Sequence, residues 1–151
     1  MKTKNIDLKT LYNTEYDQWL EEIIQQLKHR QVEDLDYENL IEELEALGRS
    51  EKSAVKSLLL QVMVHLMLYE FWEEERERNG NHWAGEIITF RVQLEDRLTT
   101  NLRNYLEEQL SSIYQNARLI TQKKTGLTSL PEDCPYSLNE LLEKTWFPKI
   151  N

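Results

Sequence analysis

A chain of 151 residues with 40% hydrophobic and 30% charged residues is long enough to close a core and too apolar to be disordered. Only four Gly and three Pro argue against a turn-dense β-sandwich, a collagen or a flexible linker. With 27 acids against 18 bases, a net charge of −9, neither nucleic acid nor an anionic membrane surface is the expected partner.

The segment Met1 to Asp7 has positive charge but no apolar stretch after it, so no secretory signal is expected. The most apolar window, Leu58 to Tyr69, is twelve residues interrupted only by Gln61 and His65. That is short for a bilayer span and typical of a buried core helix. Cys134 is the only cysteine, so no internal disulfide can form and a reducing cytoplasm is the expected setting. Lacking a nearby activating base and followed by Pro135, Cys134 reads as structural.

Helical periodicity runs through most of the chain, and no convincing alternating strand interrupts it. Residues 1–13 are expected to be flexible. A first helix is expected from about Thr14, its N-cap, to Arg30, with Trp19, Leu20, Ile23, Ile24 and Leu27 on one face. Residues 31–35 then lead to a helix capped by Asp36, with Tyr37, Leu40, Ile41, Leu44 and Leu47 at core spacing. Gly48 is a natural stop and Ser50 a natural start, although one glycine costs only ~1 kcal/mol and a continuous helix stays open. The next helix, from about Glu51 to Trp72, is apolar almost all round between Leu58 and Tyr69 and belongs at the centre of a bundle.

Asn79-Gly80-Asn81 is the clearest turn signal in the chain. A helix from about His82 to Leu98 follows, burying Trp83, Ile87, Phe90, Leu94 and Leu98. Thr99-Thr100-Asn101 should break the chain before a helix that runs to Lys124, with Gly126 in the left-handed position beyond it. Residues 127–136 contain two prolines and read as an ordered loop. Ser137 to Glu140 is a capping-box pattern opening a short helix to about Lys144, and residues 145–151 form an apolar tail that should dock on the bundle. The expected fold is therefore an all-α, single-domain bundle of about five main helices plus a short C-terminal one.

The negative charge is segregated. Residues 33–51 hold eight acids against Arg49 alone, whereas residues 86–124 hold five acids and six bases. At about 100° per residue, Asp34, Glu38, Glu42 and Glu45 fall in one stripe at the margin of the apolar face, with Glu43 well away on the other side. Like charges at this spacing repel mildly, which invites a compensating cation, arginine or partner. Arg91 projects between Ile87 and Ile88, toward the core, so a clamp pairing it with Glu38 or Glu42 is one expectation. One divalent metal ion held by His65 with Glu38 or Glu42 is the alternative.

The spacing argues against metal. No Glu-x-x-His precedes any of the three histidines, since Gln26, Val62 and Asn79 hold the relevant positions. If the chain reverses near Gly48, Glu38 lies opposite about Leu59, roughly 9 Å from the level of His65. A satisfied core histidine is the simpler reading, and no cofactor is expected. Phosphate loops, nucleophile elbows, paired cysteines and zinc-protease motifs are all missing from the sequence.

The run Leu35 to Lys52, LDYENLIEELEALGRSEK, resembles the signature of a mainly cyanobacterial family catalogued as a domain of unknown function, number twenty-nine. His65-Leu66-Met67-Leu68, Trp83 with Ile87 and Arg91, and Leu130 to Tyr136 (LPEDCPY) extend the resemblance from about Tyr16 to Pro148. Leu130 stands where an aromatic is more usual before the proline. The resemblance implies a small cytoplasmic all-α protein and no particular activity. From the residues themselves, the expected function is a non-enzymatic module that binds a protein, or a second copy of itself, through an acidic and aromatic face. Glu38, Glu42, Glu45, Trp72 and Trp83 would form that face, in the manner of an antitoxin or adaptor covering a basic partner. The alternative is a metal-dependent, hydrolase-like enzyme using His65 with Glu38 and Glu42, and the tail from Trp146 to Ile150 is a further candidate for self-association.

Overall fold

The structure is a computed structural model and describes residues 7–150; what was expected of residues 1–6 and of Asn151 lies outside the described residues. The described residues form six α-helices and one 3₁₀ turn, with no strand among them: α1 (Leu8–Thr14), α2 (Tyr16–Lys28), the 3₁₀ turn (Val32–Asp34), α3 (Tyr37–Phe71), α4 (Glu73–Arg97), α5 (Thr100–Thr125) and α6 (Leu138–Leu142). The fold is all-α, as the periodicity requires. The chain divides between Arg49 and Ser50 into two compact units, and the dividing point lies inside α3.

In the first unit, helix begins earlier than expected. Asp7 caps α1 by accepting from the Thr10 backbone N–H and, at 2.6 Å, from its hydroxyl. Thr14 is no N-cap: its hydroxyl donates back to the Thr10 carbonyl, and Glu15 occupies the junction with α2. The buried side of α2 is only Trp19 and Ile23. It ends in a Schellman turn, with Gln31 N–H donating to Gln26 O and Arg30 N–H to Leu27 O. Arg30 takes the left-handed position, at φ 56°. Asp36 accepts the first helical bond of α3, from Leu40 N–H, while its carboxylate accepts from the buried Trp19 indole at 3.1 Å and from the Asn39 amide at 2.7 Å.

The second unit holds the large core. Val55, Leu59, Val62, Met63, Val64, Leu66, Met67 and Leu68 of α3 are all buried, joined by Trp83, Ile87 and Leu94 of α4 and Leu106, Ile113, Tyr114 and Ala117 of α5. Ring pairs His65–Phe90 and Trp72–Trp83 have falling α4 numbers against rising α3 numbers, so α3 and α4 run antiparallel. Lys52 lies over Tyr105, and Thr121 donates to Met67 sulfur, so α5 runs parallel to this part of α3. By length and composition alone α3 could cross a membrane; its buried core residues are where that apolar character is spent.

Two expected breaks are absent. Gly48 lies inside α3, and a methyl group there would meet nothing, so helix continuity costs little. Asn79-Gly80-Asn81 lies inside α4. Asn79 bonds back to Glu75, and buried Gly80 leaves room for the Arg76 stem, whose Cγ would sit 3.3 Å from an added Cβ. The chain does break at Trp72, where the central helix was expected to end, and there Arg76 donates to the carbonyls of Tyr69 (2.7 Å) and Glu70 (2.6 Å). A cation on the last carbonyls satisfies acceptors that the end of α3 leaves open.

Other ends follow local chemistry. Thr99 caps α5, Gly126 ends it at φ 74°, and Ser137 with Glu140 makes the reciprocal capping box of α6. Leu130 and Tyr136 bury the loop between α5 and α6, and Tyr114 donates to the Pro131 carbonyl at 2.5 Å. The tail packs through Trp146 against Tyr136 and Phe147 against Tyr69, so those rings are occupied within this unit.

Arg30 and Gly126 share a left-handed backbone but not a side chain, so their substitutions should act oppositely. Arg30→Gly is expected to stabilise, and Gly126→Ala to destabilise, each by about 0.5–1 kcal/mol in urea unfolding followed by circular dichroism. Equal signs would contradict the left-handed assignment at one of the two ends.

Candidate interaction surface

The buried faces of the first unit's helices are narrow, which leaves large apolar side chains outside. On α2, Trp19 and Ile23 point inward, while Leu20, Ile24 and Leu27 are exposed. On α3, Glu43 faces α1 and α2, accepting from Tyr12 at 2.6 Å and from Tyr16 at 2.8 Å, while Tyr37, Ile41, Leu44 and Leu47 are exposed, the last two 59%. Among the described residues, nine of the thirteen exposed large hydrophobics precede Ser50. The sequence reading placed most of these residues in a core. They have the spacing of one, but no described residue of their unit covers them.

Rotation explains where they point. On each helix the exposed apolar stripe is displaced about 90° from the packed side, in the same rotational sense. Contacts Gln26–Asp34, Trp19–Asp36 and Tyr16–Glu43 make α2 and the start of α3 antiparallel. Equal rotations on antiparallel helices turn both stripes to the same side. One two-helix face therefore carries Leu20, Ile24, Leu27, Ile41 and Leu44.

The acids of the candidate face lie along its margin. Glu38, Glu42 and Glu45 are exposed, and Glu38 is paired with Lys9 at 3.4 Å in an arrangement open to solvent. The tryptophans belong to the other unit and are not a surface: Trp83 is 6% exposed, and part-buried Trp72 stacks on it at 5.9 Å. The aromatic half of the expected face is thus core packing.

Arg91 corrects a second expectation. It is buried, as its projection indicated, but its partners are not Glu38 or Glu42. Nε donates to Leu141 O (2.7 Å), Nη2 to Glu140 O (3.1 Å), and Nη1 to Trp146 O (2.7 Å) and Lys144 O (3.3 Å). Its guanidinium also lies 5.5 Å from the Phe147 ring centre. Burial pulls its pKa down to about 10, which leaves it charged at neutral pH. Carbonyls at a helix C-terminus carry partial negative charge and substitute for a carboxylate. The adjoining cleft, about 460 Å³, is lined by further charges already engaged: Lys144 with Glu95 at 2.9 Å, and Arg103 with Asn139.

The metal alternative finds no geometry. Among the described residues no three His, Cys, Asp or Glu side chains are grouped to hold an ion. His65 Nδ1 bonds the Gln61 carbonyl at 2.7 Å, its ring tilts against Phe90, and burial holds its pKa below the ordinary value. Cys134 is part-buried with its thiol on the Tyr136 carbonyl, and burial pushes its pKa up, away from thiolate character.

Two predictions follow from these contacts. Arg91→Met leaves four carbonyls without a donor and is expected to cost about 3 kcal/mol or more in urea unfolding, with Arg91→Lys recovering part of the loss. In the first unit, Glu43 holds the Tyr12 phenol protonated, its pKa pushed up to about 12, and is itself held below the usual carboxylate value by the two phenols. Tyr12 therefore favours the folded state below its unfolded pKa and loses that contribution as pH rises toward 12, whereas the Glu43 contribution is lost as pH falls through its own lowered pKa. Glu43→Gln should lower the pKa of both Tyr12 and Tyr16 toward the ordinary phenol value in a phenolate absorbance titration.

No curated protein and no solved structure matches the chain. A family model does match, over residues 11–147, a span that includes α2 through α6 and therefore both units. The chain belongs to the family described as domain of unknown function DUF29.

Proposed function

We propose that this protein is a non-enzymatic interaction module whose first unit presents a two-helix apolar face, edged by Glu38, Glu42 and Glu45, to another protein. The observation that carries the proposal is the uncovered row of Leu20, Ile24, Leu27, Ile41 and Leu44. Single exposed leucines are ordinary, but a contiguous apolar patch of this kind marks an interaction site. Each of these side chains is already about half covered, and full burial is worth ~1.5–3 kcal/mol, so a partner gains of the order of 1 kcal/mol per residue. Five such residues give roughly 5 kcal/mol, close to the lower estimates for the cost of association. The apolar face makes docking possible, and polar contacts at its margin decide how tight it is.

The module requires neither metal nor cofactor. Adaptor-like and antitoxin-like roles both fit, since each consists of covering a partner surface. Support comes also from the second unit, where the buried and cleft-lining charges are engaged in holding α6 and the tail.

The double variant Ile41→Ser with Leu44→Ser tests the reading. Each side chain is about half covered, so the double variant should lose about 2 kcal/mol and stay folded. A photo-crosslinking residue placed at Leu27 should capture a discrete protein in cells, and the double variant should lose that product. Unfolding of the variant, or an undiminished crosslink, would count against the proposal.

A further inference from the structure

The charge around this face narrows what can occupy it. We infer that the groove between α2 and the start of α3 receives one amphipathic helix of another protein, with Lys or Arg along both edges of its apolar stripe. This rests on the reading of the face as a docking surface and adds the chemistry of the occupant.

Two antiparallel helices present parallel ridges with a groove between them, a shape into which a third helix packs. On α2, exposed Asp17 and Glu21 lie on the outer side of the Leu20–Ile24–Leu27 stripe. On α3, exposed Glu45 and Glu38 lie just outside the stripe through Tyr37, Ile41 and Leu44, with exposed Glu42 further round on the same side. The displacement is again in the same rotational sense on both helices, so the groove is edged by acids along both sides. Lys28 adds one cation at the end of α2, and Lys9 reaches Glu38 across solvent. Over residues 1–49 the sequence has twelve acids and six bases.

Apolar burial alone about breaks even, so the margins decide between occupants. A second copy would bring its acidic edges against these, and like charges in register oppose association. A helix with acidic edges fails for the same reason. A helix with basic edges meets an acid on either side of its apolar stripe, and attraction at the rim also speeds encounter.

The test uses the full chain and two synthetic helical peptides with one leucine stripe, one flanked by Lys and Arg, the other by Glu. Binding is read by fluorescence anisotropy at low and at physiological salt. The basic peptide should bind at least about tenfold more tightly, with the preference shrinking as salt rises. Glu38→Lys, Glu42→Lys and Glu45→Lys together, in a variant whose circular dichroism is unchanged, should erase the preference. Ile41→Ser with Leu44→Ser should abolish binding of both peptides. Equal binding of the two peptides overturns the inference while leaving the face a docking surface. Failure of both to bind overturns it too, as does a concentration-dependent dimer in sedimentation that the serine variant abolishes, which assigns the face to a second copy. The cellular crosslink at Leu27 is independent of peptide charge, so loss of the helix chemistry and loss of the interaction reading give different results.

Discussion

The buried guanidinium of Arg91 sets the arrangement of everything after α5. An arginine that is 1% exposed must have acceptors at all of its nitrogens, because an unsatisfied buried charge costs several kcal/mol. A carboxylate is one solution. This chain uses another, four carbonyls drawn from Glu140 to Trp146, which means that α6 must end where it does and the tail must pass within reach. The five-residue α6 is far too short to be stable alone. Its capping box holds one end and Arg91 the other, while Leu138 and Leu141 add its burial. Arg76 uses the same device at the end of α3. In both places a cation terminates a helix from outside its own last turn.

The two units are held together internally by different means. The second has the contiguous core, with α3, α4 and α5 each contributing a buried face. The first has two buried side chains of consequence, and is tied by polar contacts: the Trp19 indole on Asp36, and two phenols on Glu43. Such bonds fix geometry well but contribute little net stability each. They also engage one side of each helix only. The apolar residues left over are therefore a consequence of how this unit closes, since its covered side is occupied by Trp19, Ile23, part-buried Tyr12 and the carboxylates of Asp36 and Glu43.

What was legible in the sequence is what local chemistry decides. Thr99, Gly126 and the Ser137–Glu140 box mark ends because a hydroxyl, a left-handed glycine and a reciprocal cap act within four residues. Asn79-Gly80 carries an equally strong local signal and misleads, because Gly80 packs closely on the Arg76 stem and the helix runs on through both residues. The end of the central helix near Trp72 was legible, but what satisfies it was not: Arg76 sits four residues later and looks like any surface cation. Arg91 was legible as buried from its projection, but backbone acceptors are the same for every residue type, so its partners were not. Periodicity in α2 and α3 showed real apolar stripes. It could not say whether the protein itself covers them, and only the packed side, set by Trp19, Ile23 and Glu43, answers that.

The acidic margin has a physical role even before a partner arrives. An uncovered two-helix apolar face on a free protein tends to pair with its own copies, since the face is available on every molecule. Rows of like charge along both edges oppose that pairing and keep the face hydrated at its border. The mild repulsion between Glu38, Glu42 and Glu45 along one helix is the associated cost, at a few tenths of a kcal/mol per pair. On the proposed reading, a row of glutamates that looks like an unexplained excess in the sequence fits a single requirement: the apolar stripe beside it must stay open to one kind of partner and closed to itself.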